Sequence, residues 1–171
     1  MEIKLRECTV RSWKKEDADS VARHADNRKI WINLRDAFPH PYTISDAQRF
    51  IDLCLSMEPE TYFCIDRGNE AIGSIGFGIL TDVARFSAEI GYWLGEQYWG
   101  RGIMTEALKA VTDYAFSNHG LHRVFALPYE WNQASIRVLE KAGYEPEVRM
   151  RCSAFKDGKL IDQFLYAYTR E

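Results

Sequence analysis

No stretch of the chain approaches the roughly 18 consecutive apolar residues that a membrane-crossing helix needs. Nothing in it is therefore expected to span a bilayer. The first residues, Met1-Glu2-Ile3-Lys4-Leu5-Arg6, lack the apolar region of a secretory signal. The four cysteines, Cys8, Cys54, Cys64 and Cys152, form no Cys-x-x-Cys pair and have no histidines at zinc-finger spacing, so no metal is expected. An excess of positive charge is missing too. Lys and Arg number 22 against 25 Asp and Glu, a net charge of -3, the wrong sign for a phosphate-backbone binder, so nucleic acid is not an expected partner. There is no internal repeat, low-complexity tract or linker. What remains is a cytoplasmic protein of one domain over residues 1–171, monomer or homodimer. Its length suffices to bury about 70% of the surface of the unfolded chain without disulfides or metals. Its 46% hydrophobic and 27% charged residues are ordinary for a globular fold.

Periodicity gives the order of elements. Residues 2–12 read as a strand through Ile3, Leu5 and Val10. Glu16-Asp17-Ala18-Asp19 opens a helix reaching about Arg28, with its carboxylates at the favoured end of the dipole. An aromatic, proline-broken connection through Trp31, Asn33, Phe38 and Tyr42 leads to Thr43-Ile44-Ser45-Asp46, a capping-box pattern. Behind it Ala47, Phe50, Ile51, Cys54 and Met57 share one helical face. The period then changes. Tyr62 to Ile65, Ala71 to Leu80 and Ser87 to Leu94 read as an antiparallel meander, with a hairpin turn at Arg67-Gly68-Asn69-Glu70. A long helix from Ile103 to about Gly120 follows, then a strand from Arg123 to Leu127. A short helix comes next, starting at Asn132 and stopped by Gly143. Two strands joined across Lys156-Asp157-Gly158-Lys159 end the chain. The whole is a mixed α/β fold.

Gly95-Glu96-Gln97-Tyr98-Trp99-Gly100-Arg101-Gly102 carries the chemistry. It links a strand to a helix. Glycines there let the backbone approach a ligand, and the first turn of the helix offers N–H groups and a positive dipole end to a phosphate. Arg101 adds a positive charge, and Glu96 is the only acid. The segment reads as a pyrophosphate cradle. It is no P-loop, because no Gly-Lys-Ser/Thr is present, and Gly100-x-Gly102 lacks the third glycine of the dinucleotide fingerprint.

Gln97-x-x-Gly100-x-Gly102 resembles the Gln/Arg-x-x-Gly-x-Gly/Ala motif of the GNAT superfamily of acyl-CoA-dependent N-acyltransferases. The flanking Glu89-Ile90-Gly91-Tyr92-Trp93-Leu94 and Ile103-Met104-Thr105-Glu106-Ala107-Leu108 are similar too. So is a second motif, Asn132-Gln133-Ala134-Ser135 followed by Arg137 to Tyr144, which resembles the ribosomal-protein N-terminal acetyltransferases, as does Phe38-Pro39-x-Pro41-Tyr42-Thr43. The resemblance covers essentially the whole chain. It implies a mostly antiparallel sheet of six or seven strands, splayed at its middle, with about four helices. It also implies direct transfer of an acetyl group from acetyl-CoA to an amine. The pyrophosphate would rest on the amides of Gln97, Trp99, Gly100, Arg101 and Gly102, on to Ile103 and Met104, and the pantetheine would pair with the strand near Trp93 and Leu94.

The same resemblance assigns roles. Ser135 would protonate the departing thiolate; the position where many members carry a tyrosine for this task is Leu139. Asn132 is either the helix cap alone or also a contact to the CoA arm. Glu89 is either the base that accepts the amine proton or an ion-paired strand residue. The glutamate that ribosomal-type members carry before an aromatic in the penultimate strand is replaced by Ala154, before Phe155. Trp31, Phe38 and Tyr42 would wall the acceptor pocket, or are plain core. Arg149, Arg151, Lys156 and Lys159 in the last hairpin recognise an acidic acceptor or form a solvated face. His119 is structural, suited to the dipole at a helix end.

Without a dedicated carboxylate, the acceptor's own pKa matters. An α-amino group near 7.7–8.0 is roughly a tenth neutral at pH 7, whereas a lysine near 10.4 costs roughly 4–5 kcal/mol to deprotonate. A protein or peptide N-terminus is therefore the expected acceptor. A small-molecule amine and a non-catalytic acyl-CoA-binding module are the alternatives.

Overall fold

The stretch expected as one N-terminal strand folds back on itself. Leu5 N–H donates to the Cys8 carbonyl at 2.8 Å, closing a turn between β1 (Glu2–Lys4) and β2 (Thr9–Arg11). Ile3 thereby lies opposite Val10. This hairpin raises the strand number to eight in the computed structural model, which describes residues 1–170. The fold is mixed α/β with a mostly antiparallel eight-stranded sheet and five α-helices among the described residues. The chain gathers into two compact units, residues 1–76 with 92–103, and residues 77–91 with 104 onward.

In the first unit, β1 and β2 continue into β3 (Tyr62–Asp66) and the start of β4 (Ala71–Ile79), all antiparallel. The expected hairpin turn between β3 and β4 has positive φ at both central residues, Gly68 (64°) and Asn69 (65°), the type I′ geometry whose twist matches the flanking strands. Three helices pack here. The first is shorter than its sequence suggests: α1 (Ala18–Ala25) stops at Asp26, and Asn27 then caps a separate single-turn helix, α2 (Arg28–Trp31), by accepting from Lys29 N–H. The capping box of α3 (Ile44–Leu55) forms as read, with Thr43 and Asp46 exchanging bonds. Trp13, Val21, Ala25, Ile30, Tyr42, Ala47, Ile51, Cys54, Cys64 and Trp93 make the core.

A buried ion cluster ties the helices to the strands. Arg11, at the end of β2, grips both oxygens of Asp17 at 2.8 and 2.7 Å and holds Asp66, at the end of β3, at 2.6 and 3.0 Å. The two carboxylates, Asp17 foremost through its hydrogen bonds, raise the Arg11 pKa further above its already high value. Asp17 Oδ2 also accepts Lys14 N–H (2.8 Å), and the second oxygen of Asp66, Oδ1, accepts Asn69 N–H (3.2 Å).

In the second unit β5 (Ser87–Leu94), whose last residues belong to the first, runs parallel to β6 (Arg123–Ala126). A parallel pair needs a crossover. It is supplied by α4 (Ile103–His119). β8 (Lys159–Thr169) pairs antiparallel with β6 and with the edge strand β7 (Glu145–Lys156). α5 (Gln133–Ala142) starts on Asn132 and ends at Gly143, as expected. Phe77, Ala107, Leu108, Val111, Val124 and Leu139 are buried.

Two charge readings change. Lys156, expected on a solvated face, is only 1% exposed. His119 lies against the rings of Phe77 (5.2 Å) and Tyr114 (5.4 Å), and its Nε2 is buried without a hydrogen-bond partner among the described residues. Burial lowers its pKa, so the imidazole is neutral and no cation complements the dipole.

Arg11→Met leaves two buried carboxylates facing each other. It should lower unfolding free energy by about 3–5 kcal/mol, read from urea denaturation midpoints at constant slope.

Candidate active site

β5 ends at Trp93-Leu94, both buried, and the chain then turns through a 3-10 segment at Glu96–Tyr98. Gly95 N–H donates to the Ile72 carbonyl at 2.8 Å, and the Trp99 indole N–H donates to the Leu94 carbonyl at 2.7 Å. The loop is thus pinned at its root, and the Leu94 carbonyl, expected to face pantetheine, already holds one donor. Beyond it Gly100 (φ 76°) and Gly102 (φ 80°) are both left-handed, with Arg101 between them. A side chain there would meet little: nothing lies within 4 Å of a Cβ at Gly100, and only the Arg6 guanidinium, at 4.0 Å, near one at Gly102. The glycines are demanded by backbone conformation, not by space. Left-handed residues alternating in a loop turn successive N–H groups to one side, the concavity that receives anions.

Gln97, Trp99, Gly100, Arg101 and Gly102 are exposed, whereas Ile103 and Met104 are buried; the Trp99 N–H, expected to face the pyrophosphate, instead donates to the Glu96 carbonyl at 3.1 Å. α2, α3 and α5 each begin on a side-chain cap, Asn27, Thr43 and Asn132, whereas α1 begins without one. α4 begins after Gly102, which has no side-chain oxygen to offer. The donor set fits a pyrophosphate.

Residues not foreseen from the sequence hold this loop. His24, on α1, donates through Nε2 to Glu70 Oε1 at 2.8 Å, and the Tyr98 hydroxyl reaches Glu70 Oε2 at 3.5 Å. His24 foremost holds the Glu70 carboxyl below the usual range. Arg67 and Arg101 lie 5.9 and 5.7 Å from the Tyr98 ring centre, cation–π contacts that park Arg101 beside the loop. Glu96 is paired with Lys29 and accepts from Asn27 Nδ2 at 2.7 Å. These partners lie 67 and 69 residues away in sequence. Only the cap at Asn27 left a local signal, hidden by extending the first helix to Arg28.

Of the expected acceptor residues, Phe38 packs on Tyr42 (4.6 Å) and on Trp93 (6.0 Å). Tyr42 is core, 7% exposed, and burial pushes its pKa up to about 12. Trp31 stands apart, against His40 (5.8 Å) and under the Arg28 guanidinium (5.2 Å). In the second unit, Asn132 Oδ1 accepts Ser135 N–H at 3.2 Å, so the capping role is realised through the oxygen and the amide nitrogen remains a second donor. Ser135 is half-buried in the first turn of α5, and Leu139 is fully buried. Glu89 is half-buried on β5, opposite Phe125 of β6. Ala154 is half-buried beside an irregularity in the β7–β8 register. No three His, Cys, Asp or Glu among the described residues gather as a metal site, and no helix there is long and apolar enough to cross a membrane.

A strand, a loop with two left-handed glycines and a following helix, set in a mixed α/β fold, define the class of protein in which such a loop can receive an anion. Comparison with known proteins narrows that class. The model of the acetyltransferase (GNAT) domain matches residues 8–145, and the chain belongs to this family of N-acetyltransferases. It is 29% identical over 167 residues to the uncharacterized N-acetyltransferase p20 of Bacillus licheniformis, covering 93% of this chain and 90% of that one. It is 30% identical over 100 residues to the [ribosomal protein uS5]-alanine N-acetyltransferase of Escherichia coli (strain K12), 58% of this chain and 52% of that protein. Among solved structures, Mycobacterium smegmatis RimJ in complex with CoA-disulfide superposes with a TM-score of 0.84 at 25% identity, over 95% of this chain and 81% of that one.

The Glu70 carboxyl, depressed by His24, contributes stability that is present above its unfolded pKa of roughly 4.3 and lost as pH falls through its lower folded value. Thermal melts of the wild type and Glu70→Gln should therefore differ at pH 6–7 and converge on acidification below roughly pH 4.

Proposed function

We propose that this enzyme transfers the acetyl group of acetyl-CoA directly to the α-amine of a protein or peptide N-terminus. The observation that carries the cofactor half is the pair of left-handed glycines flanking Arg101. They make the loop a main-chain anion site, and the donors in place suit the pyrophosphate of CoA. RimJ, a structural relative, is named in complex with a CoA-disulfide, and the donor set here is compatible with the same ligand class.

Acetyl-CoA would supply an activated thioester, and the chain's residues do the rest. Amides from Gly100 to Met104, with that of Gln97, would bind the pyrophosphate, the Tyr98 and Trp99 N–H groups being donated to the Gly95 and Glu96 carbonyls. A main-chain N–H near Trp93 or Leu94 would stabilise the developing oxyanion. Ser135 would donate its hydroxyl proton to the departing thiolate sulfur. The amine proton would pass to Glu89 or to water, and solvent would return a proton to the Ser135 oxygen.

The acceptor half rests on acid–base arithmetic. With alanine at 154, Glu89 is the one carboxylate the family resemblance leaves for the amine, and it is set in β5 opposite Phe125. An acceptor already partly neutral at pH 7 needs least from it, which singles out an α-amine over a lysine. The relative named for alanine N-acetylation of ribosomal protein uS5 supports the same direction.

The deciding measurement is release of free CoA thiol, with product mass spectrometry, on peptides offering only an α-amine or only an ε-amine, and on small amines. A higher kcat/KM on α-amines is expected. Faster turnover on matched ε-amines, or on polyamines or amino sugars, would replace this acceptor assignment.

Ser135→Ala should lower kcat at saturating substrates by about a hundredfold, the low end for a general acid, with little change in CoA affinity. An unchanged kcat removes Ser135 from the mechanism.

A further inference from the structure

One carboxylate in the glycine loop works against an anion. Glu96 stands four residues before Gly100, and apart from Arg101 it is the only charged side chain between Gly95 and Gly102. An unanswered negative charge there would repel a pyrophosphate arriving at the loop. The junction of α1 and α2 answers it. Lys29 Nζ pairs with Glu96 Oε1, and Asn27 Nδ2 donates to Oε2 at 2.7 Å, so each oxygen has its own donor. The donors are themselves held. Asn27 Oδ1 accepts Lys29 N–H at 2.8 Å, and the Lys29 carbonyl accepts from Asn33 Nδ2 at 2.9 Å. Lys29 foremost, then Asn27, keeps the Glu96 carboxyl below the usual range, so it is charged at neutral pH and its neutralisation must come from the partner.

We propose that Lys29 is a positioning residue for the cofactor: by neutralising and holding Glu96 it leaves Arg101 as the only uncompensated charge of the loop and so favours binding of the CoA pyrophosphate. The inference rests on the acyl-CoA reading above. The role is electrostatic, which separates it from a brace of shape. A brace is lost whenever either partner is cut. A neutralising partner becomes dispensable once the charge it neutralises is gone.

Calorimetric titration of the full chain with CoA tests this in the wild type, Lys29→Met, Lys29→Arg, Glu96→Gln and the double variant Lys29→Met/Glu96→Gln. Lys29 is two-thirds exposed at its side chain, so the substitutions spare the fold, which melts of the apo proteins check. Lys29→Met should weaken CoA binding about three- to tenfold at about 50 mM salt, and less at about 500 mM as screening grows. Lys29→Arg and the double variant should bind within about twofold of the wild type. Unchanged binding by Lys29→Met overturns the inference, as does a double variant as weak as Lys29→Met, which would make the contact a brace. If the wild type itself binds no CoA, the acyl-CoA reading falls and this inference with it. Loss of neither wild-type nor Lys29→Met binding sinks this inference alone.

Discussion

One guanidinium sets where the glycine loop is held. Arg11 joins the ends of β2 and β3 to the turn that starts α1, through Asp66 on one side and Asp17 on the other. A single cation between two buried carboxylates is tolerable only because every strong acceptor is met, by the forked guanidinium and by main-chain N–H groups. The start of α1 is thereby fixed to the strands. Its far end carries His24, and the junction after it carries Asn27 and Lys29. Those three residues reach Glu70 and Glu96, and so the segment Gly95–Tyr98. The chain of constraint runs from a buried ion cluster, along a two-turn helix, to the loop that carries Gly100 and Gly102.

Within that loop the labour is divided between backbone and side chains. Gly100 and Gly102 take conformations that other residues adopt at a cost of about 1–2 kcal/mol each. The side chains around them serve mainly to hold and to balance charge. Trp99 ties its indole back to Leu94, Tyr98 lies beneath two arginines, and Glu96 is neutralised from α2. An anion site of the proposed kind would depend little on which side chains surround it, provided the loop keeps its shape and its net charge is not negative.

This division explains what the sequence disclosed. Elements with local causes were legible: the Thr43 capping box, the Gly68-Asn69 turn, the Asn132 start and Gly143 stop of α5, and the span Ser87–Leu94 were read within a residue or so. The glycine pattern was legible because backbone conformation restricts residue type directly. The errors came where tertiary contacts rule. The break between α1 and α2 follows from Asn27 serving two masters, a cap and a bond to Glu96, and the second is invisible locally. The Arg11 cluster joins residues 6 and 55 positions apart. His119 sits at a helix end where the dipole favours a cation, yet the aromatic walls of Phe77 and Tyr114 decide its charge.

The acceptor is harder to read than the cofactor for a related reason. The phosphates of the proposed cofactor ask only for main-chain donors. An amine must be chosen by side chains, and here the candidates have structural duties as well. Tyr42 is core, Phe38 joins it to Trp93, and Trp31 is occupied with His40 and Arg28. A pocket wall made of residues that also hold the fold has little freedom to recruit charge. Selection by the amine's own protonation state needs no such freedom. It asks only that the site add little basicity, and with alanine at 154 and Glu89 the one glutamate of β5, the proposed acceptor, arriving partly deprotonated, would be the one such a site handles at least cost.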